Sequence, residues 1–364
     1  MLYGSIMIPS KILMRYRRYS SGMIKKKTHY HYLHHWTSRI LPHTMANKFS
    51  NLAPRAAVAA VAIPFILYAS YRGGLLFVLF VLAIGILALL EFFTMAKAKG
   101  SNPQTAVGVA GLAAMHLSFF HEQIQNFIVP FFIGSGGISL LMKLQLFLTA
   151  LFLFLTIVML VELFRNKGSA FLNAGSTIFG VMYVGVFLAS LTGIRELFGA
   201  EFPYHLAVQY FPSSSALTDT TLHAATYAWG GLTIIAIFAS IWLCDTAAYF
   251  GGLTMGKHKL FPRVSPNKSW EGAVWGFFGA VVTMIVFQIY FLPYLKLHQA
   301  VIIGVIIGVF GQIGDLIESL LKRDAGVKDS SGLIPGHGGV FDRFDSLIYV
   351  SPILYLYIDF VVLS

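Results

Sequence analysis

Residues 75–93 read LLFVLFVLAIGILALLEFF, an almost unbroken apolar run. A helix that crosses the hydrocarbon core of a bilayer needs about 20 apolar residues. Similar runs lie near residues 56–71, 106–120, 144–164, 174–194, 229–250, 273–292, 300–321 and 346–363. Backbone amides inside lipid must be satisfied within the segment, and these runs lack the alternation of barrel strands. The sequence therefore predicts an all-α, polytopic membrane helical bundle with about nine transmembrane helices.

The overall composition agrees with a membrane protein. Hydrophobic residues make up 57% of the chain, charged residues only 11%, and the mean hydropathy is +0.72. Soluble globular domains carry about 25% charged residues, so an ordinary soluble domain is excluded. Disordered chains combine low hydrophobicity with high net charge, and disulfide scaffolds need more than the single Cys244.

The positive net charge is concentrated at the N-terminus. Residues 1–55 contain 10 of the 26 Lys and Arg residues and none of the 15 Asp and Glu residues. The remainder is nearly neutral, so we expect no nucleic-acid partner. We predict a basic arm over residues 1–54 and an integral-membrane domain over 55–364. The arm is either a transit-like segment, which is typically rich in Arg and poor in acids, or a consequence of a native start at Met45.

Loop charges predict the orientation of the bundle. With the N-terminus placed inside, the inner loops and their edges carry twelve Lys and Arg residues and the outer ones four. Cytoplasmic loops are enriched in Lys and Arg, so this arrangement favours a cytoplasmic N-terminus and an external C-terminus. Both polar segments of the chain, residues 242–272 and 314–345, then lie on the cytoplasmic side.

The segment 314–345 contains six of the 15 acidic residues, beginning with Asp315 inside an apolar run. Ionisable groups within a membrane span are costly and usually functional. Glu318, Ser319 and Lys322 follow Asp315 at i+3, i+4 and i+7, which places all four on one helical face. A purely structural pair between Lys322 and one of the two carboxylates is the alternative interpretation.

The end of the same segment combines glycines with charged residues. Glycines surround His337 and allow close backbone approach to a ligand. Several carboxylates suit a hard divalent cation such as Mg²⁺, and the neighbouring Lys and Arg side chains suit phosphate oxygens. Together these residue types indicate a site for a metal ion and a polyphosphate.

These residues also carry a family resemblance. The pattern consists of Ser319-x-x-Lys322-Arg323, Lys328-Asp329 and Pro335-x-His337-Gly338-Gly339-x-x-Asp342-Arg343-x-Asp345. Upstream stands a second element, Ser265-Pro266-x-Lys268-Ser269-x-Glu271-Gly272. Both resemble the signature of the phosphatidate cytidylyltransferase family, also called CDP-diacylglycerol synthase. The resemblance covers roughly residues 50–364 and is strongest over 242–345.

The resemblance implies an activity, a cofactor and an assembly. Members of the family convert CTP and phosphatidate into CDP-diacylglycerol and pyrophosphate with Mg²⁺. The metal-binding carboxylates of the family match Asp315 and Asp342. A monovalent cation such as K⁺ at the same centre and an all-helical homodimer are further implications.

The polar residues then take individual roles as expectations. Weaker candidates for metal ligands are Asp245, Asp329 and Asp345. The expected phosphate-binding cations are Lys268, Lys322, Arg323, Lys328 and Arg343. The other expected substrate-contacting or catalytic residues are Ser265, Glu271, Ser319, His337, Gly338 and Gly339. For Asp245 the structural alternative is a buried polar residue that joins two helices.

Substrate access favours a site at the cytoplasmic end of the bundle, because CTP comes from water and phosphatidate from the bilayer. A bacterial inner membrane is the expected location. Two alternatives use the same residues differently. A CTP-dependent polyprenol or lipid kinase would transfer the γ-phosphoryl group. An ion-coupled transporter would use the acidic residues inside the membrane, but the sequence shows no internal repeat, and inverted repeats are typical of that class.

Overall fold

The computed structural model describes residues 52–121, 143–199, 202–210, 219–334 and 338–364. The predicted arm over residues 1–54 therefore lies almost entirely outside the described residues, as does His337. Ten helices form the described part of the chain. They are α1 (Leu52–Arg72), α2 (Gly74–Ala98), α3 (Thr105–Ser118), α4 (Lys143–Arg165), α5 (Ala170–Glu196), α6 (Tyr204–Tyr210), α7 (Asp219–Met255), α8 (Trp270–Tyr290), α9 (Leu297–Asp324) and α10 (Phe341–Tyr357).

The predicted class, a polytopic helical membrane protein, is confirmed. Seven of the described helices are long and apolar enough to cross a membrane: α2, α4, α5, α7, α8, α9 and α10. Two more apolar helices, Ala56–Arg72 within α1 and Thr105–Ser118, fall short of that length. The count of about nine spans therefore stays a prediction. Helix α5 contains a π-helical turn at Val181–Val186, and α10 continues into another at Ile358–Val362.

A small antiparallel hairpin is the one departure from the all-α prediction among the described residues. Strand β1 (Lys259–Phe261) pairs with β2 (Ser265–Ser269), with Lys259 opposite Ser269 and Phe261 opposite Ser265. The sequence favours a polar loop here because the segment is short and contains Pro262 and Pro266. Strand pairing satisfies backbone groups that a loop would leave to water. The hairpin connects α7 to α8.

Glycines set the close crossing of the helices that carry the site. Gly304 and Gly308 of α9 face α8, where an added Cβ would lie 2.6 Å and 3.0 Å from the Cα atoms of Val281 and Phe277. Small residues let helix backbones approach where lipid provides no hydrophobic driving force. Gly314, further along α9, faces α10, and an added Cβ would lie 2.8 Å from the Asp345 carbonyl oxygen.

We expect the substitution Gly304→Ala to lower the free energy of unfolding by about 1–3 kcal/mol, because α8 and α9 must separate to accept the methyl group. Unfolding by sodium dodecyl sulfate in mixed micelles measures this change. Gly175→Ala in α5 is the matched control, since no described neighbouring atom lies within 4 Å of the added Cβ. An unchanged stability of the Gly304 variant would contradict the packing argument.

Candidate active site

Three carboxylates meet where α9 packs against α10. Asp315 and Glu318 lie one turn apart on α9, and Asp345 comes from α10. One oxygen from each lies within 4.8 Å of the others. Glu318 is 1% exposed, and its Oε1 has no hydrogen-bond partner among the described residues. We call these three residues the acidic cluster.

Two lysines bring positive charge to the acidic cluster. The Lys268 Nζ, at the end of β2, lies 2.5 Å from Asp315 Oδ2. The Lys322 Nζ lies 2.7 Å from Glu318 Oε2 and 2.8 Å from Asp342 Oδ1. The structural pair considered for Lys322 is therefore present with Glu318. Asp315 is paired instead with a lysine that is distant in sequence, and it also accepts a 3.4 Å hydrogen bond from Ser319 Oγ.

Asp342 holds the loop that leads into α10. Its Oδ1 accepts from Lys322, and its Oδ2 accepts from the Ser330 N–H at 3.0 Å, the Ser330 hydroxyl at 3.0 Å and the Gly339 N–H at 2.7 Å. Asp342 was expected to share a metal ion with Asp315, but the structure places Asp345 in the acidic cluster instead. Both oxygens of Asp342 are occupied by protein donors, so its role as a metal ligand stays a prediction.

Glu91 of α2 accepts hydrogen bonds from the same loop. The sequence analysis did not identify this residue. Its Oε1 accepts from the Ser331 hydroxyl at 2.6 Å and the Val340 N–H at 3.0 Å. Its Oε2 accepts from the Ser330 hydroxyl at 2.9 Å and the Phe341 N–H at 2.8 Å. The last donor is at the N-terminus of α10, where a negative charge is favourable. A lone acid in the apolar run 75–93 was the available signal.

Gly338 and Gly339 allow the loop to pack against Glu91 and Asp342. Gly338 has a φ of +83°, a conformation that favours glycine. An added Cβ on Gly339 would collide with the Ser330 hydroxyl and the Glu91 carboxylate. The Gly339 amide, expected to donate to a phosphate, donates to Asp342. A phosphate-binding role for the two glycine amides therefore stays a prediction.

Two cavities lie beside the acidic cluster, one lined by Asp315 and the other by Asp345. One of about 470 Å³ lies beside the hairpin and is lined by Tyr249, Asn267, Lys268, Gln312 and Asp315, among others. The other, of about 370 Å³, is walled by α1 residues Ala59, Ala62 and Ile66 and closed by Arg343 and Asp345. We call them the hairpin cavity and the α1 cavity. Asp245 lines both cavities, which favours its functional interpretation over a merely structural one.

The remaining predicted residues that the structure describes form no hydrogen bond or ion pair with the acidic cluster. Glu271 does not reach it, because its carboxylate accepts from the backbone N–H groups of Lys257 and His258 and from the His258 ring at 2.6 Å. Glu271 thus holds the turn before β1, and its expected role in substrate binding has no contact to support it. Ser265 begins β2. Arg323 is exposed in the last turn of α9, and Lys328 and Asp329 are exposed on the segment that follows this helix.

Tyr183 is a second residue that sequence reasoning missed. It lies in the π-helical turn of α5, is 5% exposed and packs edge-on against Phe341 at 6.2 Å between ring centroids. Its hydroxyl has no hydrogen-bond partner among the described residues. Such π turns often occur at functional sites. Nothing in the local sequence marks this tyrosine apart from the others.

Comparison with known proteins identifies the family of the chain. The profile of the cytidylyltransferase family matches residues 53–361. The chain is 34% identical over 288 residues to phosphatidate cytidylyltransferase of Bacillus subtilis (strain 168), covering 78% of this chain and 88% of that protein. It is 31% identical over 300 residues to the enzyme of the same name from Staphylococcus saprophyticus, covering 82% and 96%. A Synechocystis relative of that name is 31% identical over 304 residues, covering 83% and 94%.

The matched region includes every helix that carries the acidic cluster, the hairpin and the two cavities. The chain therefore belongs to the cytidylyltransferase family, a family of nucleotidyltransferases. The resemblance drawn from the two polar motifs is confirmed.

We expect Glu91→Ala to reduce the turnover rate by roughly a hundredfold, because the Ser331 hydroxyl and the Val340 and Phe341 N–H groups lose their acceptor and the entry to α10 shifts. Initial rates with CTP and phosphatidate in detergent measure this loss. Thr94→Ala is the matched control on the same helix, since the Thr94 hydroxyl bonds only to the Leu90 carbonyl of α2. Wild-type turnover of the Glu91 variant would show that the loop does not depend on this anchor.

Proposed function

We propose that the protein transfers the cytidylyl group of CTP to phosphatidate, forming CDP-diacylglycerol and pyrophosphate in membrane phospholipid biosynthesis. The observation that carries this proposal is the position of the acidic cluster between two unlike cavities. The hairpin cavity offers Lys268 and Asn267 to a polar ligand, while the α1 cavity is walled by apolar helix residues and closed by Arg343. The relatives named above carry the same activity in their names.

The two cavities suit the two substrates. The triphosphate of CTP fits beside the hairpin, where Lys268 can contact a phosphate oxygen. The acyl chains of phosphatidate fit against α1, and the Arg343 guanidinium can pair with the lipid phosphate. Asp245 and the acidic cluster then lie between the two reacting phosphates.

The reaction needs no nucleophile from the protein. A phosphate oxygen of phosphatidate forms the new bond to the α-phosphorus of CTP, and the bond from that phosphorus to the bridging oxygen of the β-phosphate breaks. The ionised lipid phosphate carries its own electron pair, so no proton has to be removed. The obstacle is repulsion between two anions. Lys268, Lys322 and Arg343 reduce that repulsion and hold the reactants in line.

The donors of the site fit a divalent cation. Five carboxylates line or adjoin the two cavities, namely Asp245, Asp315, Glu318, Asp342 and Asp345. With all five ionised they would exceed the three accompanying cationic side chains by two negative charges, an excess that a divalent cation would balance. We propose that Asp315, Glu318 and Asp345 would hold Mg²⁺, since hard cations prefer oxygen ligands. When bound, Mg²⁺ supplies further neutralisation of the phosphate charge.

Further features of the proposal concern placement and assembly. We propose that the site faces the cytoplasm of a bacterial inner membrane, in agreement with the loop charges and the bacterial relatives. The homodimer and the K⁺ ion implied by the resemblance belong to the same proposal. Seven of the described helices are long and apolar enough to cross a bilayer, and phosphatidate would enter the site from that bilayer.

Position-labelled CTP tests the proposed reaction. The purified protein in detergent is given phosphatidate, Mg²⁺ and CTP labelled at either the α- or the γ-phosphate. We expect the α-label to enter the organic-phase lipid with equimolar release of pyrophosphate. Asp315→Asn should lower this transfer by roughly a thousandfold, because the acidic cluster loses a charge where the reacting phosphates meet.

Asp324→Asn is the matched control for this assay. It lies on the same helix but is exposed and paired with Lys99 outside the acidic cluster, so its turnover should equal that of the wild type. Entry of the γ-label alone into lipid would overturn the proposal in favour of a kinase. Absence of any transfer, with ion-driven flux in liposomes, would overturn it in favour of a transporter.

A further inference from the structure

The segment that joins α7 to α8 contains basic residues but no acidic ones. Between Asp245 and Glu271 the chain contains no acidic residue, but it contains Lys257, Lys259, Arg263 and Lys268. We call residues 256–269 the basic hairpin. Its charge is not needed to balance the acidic cluster, because only Lys268 pairs with a carboxylate of that cluster.

Three cations of the basic hairpin remain available to a ligand. Lys257, Lys259 and Arg263 are exposed, and they form no ion pair with any residue that the structure describes. The nearby Glu271 does not neutralise their side chains. Its oxygens accept from two backbone N–H groups and from the His258 ring. The outward face of the hairpin therefore presents three unpaired positive charges.

The position of the basic hairpin brings these charges to the bilayer surface. It begins one residue after α7 ends at Met255 and stops one residue before α8 begins at Trp270, and both helices are spans. Because α8 is only as long as the 20 or so residues that a span requires, its first residue, Trp270, and the adjoining end of the hairpin lie at the level of the lipid head groups. Phe261 and Trp270 are 46% and 58% exposed. Exposed aromatic side chains next to Lys and Arg are typical of membrane interfaces.

We propose that the basic hairpin binds the phosphate groups of anionic phospholipids in the surrounding leaflet. The cations attract the negative surface, and Phe261 inserts its ring among the head groups. This interaction concerns bulk lipids and does not depend on the proposed function. If the proposed function holds, the same attraction would concentrate phosphatidate beside the site, since Lys268 of the hairpin also lines the hairpin cavity.

Spin-labelled lipids test this binding without any turnover. The protein is reconstituted in phosphatidylcholine vesicles with a trace of spin-labelled phosphatidylglycerol or spin-labelled phosphatidylcholine. Electron paramagnetic resonance then gives the relative association of each lipid with the protein. We expect the wild type to prefer phosphatidylglycerol, and the preference to weaken as salt is added.

In the variant Lys259→Gln/Arg263→Gln, the association of phosphatidylglycerol relative to phosphatidylcholine should fall about fivefold for each cation removed. This ratio corresponds to about 1 kcal/mol per charge near an anionic surface. Lys97→Gln/Lys167→Gln is the matched control. Because both positions also adjoin spans, this variant measures the general effect of losing two cytoplasmic charges, and the loss of lipid preference in the hairpin variant should exceed it. Lys259→Arg/Arg263→Lys, which keeps both charges, should retain the preference of the wild type.

A hairpin variant that retains the lipid selectivity of the wild type would overturn the proposal. If the apparent affinity of that variant for CTP also fell at saturating phosphatidate, the cations would serve the nucleotide phosphates instead. Lipid selectivity is measured without CTP, so a failure of the proposed reaction would not affect the lipid measurement.

Discussion

Like charges crowded within an apolar bundle impose the constraint on which this structure depends. Asp315, Glu318 and Asp345 hold carboxylate oxygens within 4.8 Å of one another between helices that lipid surrounds. Repulsion between ionised carboxylates at such distances is much stronger in an apolar interior than in water, so the arrangement requires either nearby positive charge or protonation. Lys268 and Lys322 supply part of the positive charge from a hairpin and from the next helical turn. The charge excess that would remain with all the carboxylates ionised is the basis of the proposal that the site binds a metal ion and phosphorylated substrates.

The surroundings of the acidic cluster show how the fold maintains this arrangement. Gly314 lets α10 approach α9 closely enough for Asp345 to join Asp315, and Asp342 ties Lys322 to the loop before α10. Glu91 binds the other side of that loop through four donors, so α2 supports a site to which it contributes no cluster residue. Rigid support of this kind matters because positioning and charge neutralisation are the main contributions a protein can make when the substrate provides the nucleophile.

Much of this could be predicted from the sequence, because the signals are local. Long apolar runs predict helices, and the spacing of Asp315, Glu318 and Lys322 predicts one polar face. The close helix crossing at Gly304 and Gly308 follows from small residues in a span. The rest depends on contacts between distant segments. Asp342 and Asp345 lie one turn apart, and only the rotation of α10 decides that Asp345 faces α9. Glu91 is separated from Ser330 by 239 residues, and the hairpin pairs strands too short to show a pattern.

Metal binding by the purified protein tests the central claim most directly. Mn²⁺ shares the preference of Mg²⁺ for oxygen ligands, and its free ion has a strong paramagnetic resonance signal. In detergent without substrates, we predict that the wild-type protein removes one Mn²⁺ per chain from solution, that Glu318→Gln and Asp345→Asn abolish this binding, and that Asp324→Asn retains it. Equal Mn²⁺ binding by the wild type and the two cluster variants would contradict the account.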